Sequence, residues 1–61
     1  MKSVEQQMED IIHVLAESLK DAHKHGEGNN AAGGRVRKTL QAVAAQCKAL
    51  RKQVQEERNA E

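Results

Sequence analysis

Arg35, Arg37, Lys38, Lys48, Arg51 and Lys52 put six cations between positions 35 and 52 of a 61-residue chain. Guanidinium and ammonium groups at that density suit a polyanionic ligand. The chain has no Phe, Tyr or Trp, so it offers no platform on which bases could stack, and any grip on nucleic acid is expected at phosphates. The other residues capable of chemistry point to no reaction. Cys47 is the single cysteine, which rules out an intrachain disulfide. It falls in an apolar row where burial is expected, without the access and nearby base that a nucleophile needs, and close enough to a dimer axis for an interchain bond. His23 and His25 are two positions apart and project to different sides of a helix, and His13 is expected on a solvated outer face. These residues do not show zinc-site spacing. Gly26, Gly28, Gly33 and Gly34 precede no phosphate-loop lysine and follow no strand, so they are assigned to turns and close packing. The expectation is no enzyme activity, no cofactor, no metal and no small-molecule substrate.

The elements that carry these cations follow from periodicity. Val36, Leu40, Val43, Cys47, Leu50 and Val54 recur at spacings of 4, 3, 4, 3 and 4, a heptad seam that buries one helix face against a partner. Upstream, Val4, Met8, Ile11, Leu15 and Ala22 trace a second stripe, widened by Ile12, Ala16 and Leu19 beyond what one partner helix covers. Ser3 and Gln6 form a capping-box pattern, and Glu5 suits the first turn. Lys20, His23, Lys24 and His25 suit a helix end that Gly26 stops in the left-handed conformation. The first helix is predicted over 3–25 and a tight turn over 26–29. The second helix is predicted over 30–59, capped by Asn29 or Asn30, with Gly33 inside it so that another backbone approaches closely. An alternative starts that helix at Arg35, after a loop running to Gly34.

Composition agrees with an all-α chain, since Pro is absent and Ala, Glu, Gln, Lys, Arg and Leu are abundant. The short turn makes the helices antiparallel, a single helical-hairpin domain of coiled-coil type with the second helix overhanging the first by about two turns. At about 1.5–3 kcal/mol per fully buried large apolar side chain, a lone hairpin barely offsets its chain entropy. Two chains related by a two-fold axis, closing into an antiparallel four-helix bundle, are therefore expected. The net charge of +1 conceals an asymmetry: residues 1–28 carry 3 − 6 = −3 and residues 29–61 carry 7 − 3 = +4. The acidic half can pack against the basic half, or the basic half can carry a binding surface. No apolar run reaches membrane-spanning length, and the acidic start does not resemble a signal peptide, so a soluble, cytoplasmic protein is expected, with Cys47 reduced.

Residues 28–54, GNNAAGGRVRKTLQAVAAQCKALRKQV, resemble the small bacterial histone-like proteins of the chlamydial type, named after eukaryotic linker histones. Gly28, Asn29, Ala31, Ala32, Gly33, Arg35, Arg37 and Lys38 match that family's Gly-Asn-Lys-Ala-Ala-Gly-Lys-Arg-x-Arg-Lys run, and Leu50, Arg51 and Lys52 match a later Leu/Phe-Arg-Lys step. The resemblance implies a helical, nucleoid-associated protein that binds and compacts DNA. It assigns Arg35, Arg37 and Lys38 as DNA contacts, with Lys48, Arg51 and Lys52 secondary. Asn30 and Gly34 stand where lysine is common, and the Lys-, Ala- and Pro-rich tail of many members does not follow Glu61. Without that tail, affinity should be lower and more dependent on oligomerisation.

Geometry adds Lys20 and Lys24, which an antiparallel hairpin brings to the same pole as Arg35, Arg37 and Lys38, near the positive start of the second helix. The leading expectation is a sequence-nonspecific, dimeric binder of the phosphate backbone of double-stranded DNA. Two others remain. One is a protein-interaction or assembly module in which the charges set helix pairing. The other is a dimer that binds structured RNA, similar in architecture to the plasmid copy-number regulator Rop.

Overall fold

The computed structural model describes residues 1–60. They form two helices, α1 (Val4–Gly26) and α2 (Asn30–Asn59), folded back on one another in an antiparallel hairpin 49 × 15 × 15 Å in extent. No strand occurs among the described residues. Ser3 opens α1, its hydroxyl accepting from the Gln6 N–H at 3.0 Å. The reciprocal half of the capping box is missing, because the Gln6 amide donates instead to Asp10 Oδ1 at 3.1 Å. Lys2 Nζ reaches the other Asp10 oxygen at 2.8 Å, and these bonds, that from Lys2 foremost, hold the Asp10 carboxyl below its ordinary value.

The turn is a Schellman closure displaced from its expected position. Gly26 stays helical, and Gly28 takes the left-handed conformation at φ 97°. The Asn29 N–H donates to the Lys24 carbonyl at 3.0 Å and the Gly28 N–H to that of His25 at 2.9 Å, which satisfies two free carbonyls of the last turn. Asn29 then caps α2, its side-chain oxygen accepting from the Ala32 N–H at 3.0 Å. Gly33 and Gly34 both lie inside α2. A Cβ built on Gly33 would stand 2.5 Å from His25 Nδ1. The close approach at Gly33 is thus made by an imidazole ring and not by backbone. Beside Gly34 there is open space.

The core is narrow: Ala32 is fully buried, and Val43 and Leu50 are each 8% exposed. Here the structure corrects the expected seam. Val36 and Val54 are half-buried, but Leu40 is 54% exposed and Cys47 is exposed too. The six-residue row divides into two heptad columns. Val36, Val43 and Leu50 turn toward α1, while Leu40, Cys47 and Val54 run along the hairpin's side. On α1 the residues shielded by α2 are Val4, Gln7, Asp10, Ile11, Ser18 and Asp21, and no residue of that helix is fully buried. Gln7 and Gln53 join across the hairpin at 2.7 Å. Met8, Ile12, Leu15 and Leu19 are left exposed on the flank that carries Leu40.

Candidate nucleic-acid interface

The turn brings five of the expected cations to one end of the rod. Lys20 and Lys24 sit four residues apart in the last turns of α1, and Arg35, Arg37 and Lys38 occupy the first turns of α2. They ring that pole without meeting at a point, because Arg35 and Arg37 are two positions apart and lie on different sides of α2. An acidic group also stands among them. Asp21 holds Arg35 in a bidentate ion pair, Nη2 to Oδ1 at 2.9 Å and Nε to Oδ2 at 3.1 Å. The bond from Arg35 holds the Asp21 carboxyl below its ordinary value, with smaller help from the charges of Arg35, Lys24 and Lys20. The same bond raises Arg35. Arg35 thus already has a carboxylate as its ligand, a role that the family run alone did not disclose. The signal was present in the sequence, since a turn centred near residue 28 sets Asp21 about level with Arg35, across the hairpin.

The start of α2 is less open to an anion than the helix dipole alone suggests. The Ala32 N–H is taken by Asn29 Oδ1 and the Gly33 N–H by the Asn29 carbonyl. Only the first amides of the helix remain to face a phosphate.

Farther along the shaft, Lys48, Arg51, Lys52 and Gln55 line one shallow depression on α2. The helix sets these residues at i, i+3, i+4 and i+7, one continuous patch on its surface. None of the three cations is in a salt bridge among the described residues, and the same holds for Lys20, Lys24, Arg37 and Lys38. With no carboxylate in direct contact among the described residues, these cations are open to counterions, which a polyanion gains by displacing. Arg51 stands at a border, for it also lines the apolar depression formed with Val4, Met8, Ile11, Ile12, Cys47, Leu50 and Val54.

Cys47 lies in that apolar depression and is exposed, in contrast to the burial expected of it. His23 stands 3.6 Å from Glu27 one turn later, and His25 covers Gly33. No group of three or more His, Cys, Asp or Glu side chains among the described residues is placed to hold a metal ion. No helix is long and apolar enough to cross a membrane among those residues.

No curated protein and no solved structure gives a significant match to this chain. A family model does, over residues 5–60, and so takes in α1 as well as α2. That family is described as histone H1-like protein Hc1, and the chain, matched over nearly its whole length, belongs to it.

Proposed function

We propose that this chain is a sequence-nonspecific, architectural DNA-binding protein of the nucleoid that works as a dimer and touches the phosphate backbone of the duplex. The observation that carries the reading is the cationic patch of Lys48 and Lys52 on α2, with Arg51 at its border, none of them in a salt bridge among the described residues. Membership of a histone H1-like family supports it. Lys20, Lys24, Arg37 and Lys38 at the turn form a second contact zone, and Arg35 is subordinate to them because Asp21 competes for it. Backbone contacts of this kind fix a protein on the duplex without reading sequence. Each phosphate neutralised releases counterions and adds to the salt dependence of binding.

A double variant, Lys48→Gln with Lys52→Gln, tests this assignment by fluorescence anisotropy on a random-sequence duplex. Loss of two phosphate contacts should weaken binding equally across sequences and reduce the slope of log K against log salt by about two. An unchanged slope would remove the patch from the interface. The exposed row of Met8, Ile12, Leu15, Leu19 and Leu40 favours a second reading, in which the hairpin is first of all an assembly module. That reading would prevail if the protein self-associates but ignores duplex DNA at low salt. Preference for an RNA hairpin over the duplex would point instead to structured RNA.

A further inference from the structure

One flank of the hairpin is apolar from Met8 to Leu19 on α1 and from Leu40 to Val54 on α2. Met8, Ile12 and Leu19 of α1 are 53–67% exposed, and Leu40 and Cys47 of α2 lie beside them. The rims of this face differ in charge. Glu5 and Glu9 stand on the outer rim of α1, each within one helical turn of Met8 or Ile12. Arg51 and Arg58 stand on the rim of α2, each within one turn of Val54. We infer that this face docks a second copy of the chain with both turns at the same end of the assembly, so that α1 of each copy lies against α2 of the other.

Two hairpins can close this face by a two-fold axis in only two ways. If the axis runs across the rod, α1 meets α1 and α2 meets α2, the turns lie at opposite ends, and the arginine rim of one copy faces the arginine rim of the other. If the axis runs along the rod, each acidic rim faces a basic one. Like charges set opposite one another oppose docking, whereas complementary rims fix its register. Heights agree with the second arrangement. Gln7 meets Gln53 and His25 meets Gly33 within the hairpin. An axis along the rod preserves height, which puts Glu9 level with Arg51 of the second copy and Glu5 within a turn of its Arg58. A partner of the same length and the same apolar row also covers the face from end to end.

The arrangement divides the cations between two tasks. Arg51 and Arg58 turn to the second copy, while Lys48, Lys52 and Lys38 stay on the outer side of α2. At the turn end Lys20 and Arg37 border the face without a carboxylate partner across it, so two cationic poles stand together there and a polyanion would relieve their repulsion. The inference rests on the dimeric part of the proposed function and needs no DNA, so its test is run without any.

Spin labels attached to the Glu27→Cys, Cys47→Ala full-length chain would report the distance between the two turns by pulsed dipolar spectroscopy. The expected distance is below about 30 Å, set by helix spacings of about 8–10 Å plus the label arms. A distance approaching the 49 Å length of the rod would establish the crossed arrangement instead, and a monomeric mass with no dipolar signal would remove the docking surface altogether. Charge reversal gives an independent reading. Glu9→Arg should weaken self-association roughly three- to thirtyfold, from two symmetry-related exposed pairs, and adding Arg51→Glu should restore it. Failure of the second change to rescue the first would overturn the pairing of α1 with α2.

Discussion

Arg35 shows how one residue can belong to a basic motif and still spend its charge inside the molecule. Its guanidinium is tied through two nitrogens to Asp21, and this contact links α1 to α2 near the turn. Asp21 is held below its ordinary value, so the stabilisation it contributes is fully present above the unfolded-state value and is lost as the pH falls through the lower folded-state value. Asp10, bonded by Lys2 and Gln6, behaves in the same sense. Thermal melting should therefore weaken on acidification below about pH 4, the ordinary aspartate range. Asp21→Asn should make that decline shallower. The same substitution removes a negative charge from the cationic pole and releases Arg35, so it should also tighten binding to duplex DNA at neutral pH. Tighter binding with an unaltered acid limb would mean that the pair matters for the ligand but not for the fold.

At the scale of the element, the two glycines near the start of α2 behave differently although they are adjacent. Gly34 has open space beside it, and Gly34→Ala should stabilise the protein by about 1 kcal/mol through helix propensity. Gly33→Ala gains the same propensity but must drive the His25 ring from its seat, so its net gain should be clearly smaller or reversed. Chemical denaturation of the two variants decides this, and equal gains would show that the ring contact is worth nothing. The helices themselves were legible in the sequence because Ser3, Asn29 and the glycines of the turn each have a definite capping chemistry. Which apolar column faces which helix was less legible. Val36, Leu40, Val43, Cys47, Leu50 and Val54 read as one seam because the 4–3 spacing counts only apolar residues. The inner face of α1 also contains Gln7, Ser18 and Asp21, polar residues that such a count passes over. A heptad pattern also cannot tell a column that packs within the chain from one that packs against another chain, which is why Leu40 and Cys47 were expected to be buried. Of the candidate interface, the cations and their placement at the turn and along α2 followed from the sequence. The Asp21 pairing and the cap on the Ala32 amide required the hairpin's register.

For the whole molecule, the features converge on a rod with separate surfaces. A thin internal core of Ala32, Val43 and Leu50 holds the hairpin, an apolar flank is exposed and is the face proposed to dock a second copy, and the outer side of α2 presents Lys38, Lys48 and Lys52. Burying the flank adds the apolar area that a chain of this size lacks alone, so assembly and stability should rise together with protein concentration. In the proposed dimer the outer sides of the two α2 helices face away from each other, so each duplex segment would meet one cationic surface and the assembly would offer two. The most direct measurement of the central claim is the affinity of the full chain for random-sequence duplex DNA across a series of salt concentrations, with the mass in solution recorded alongside. Binding without sequence preference is expected, declining with a log–log slope of about −4 or steeper, as for four or more phosphate contacts. A folded, self-associated protein that fails to bind at low salt, or binds with an affinity indifferent to salt, would contradict it.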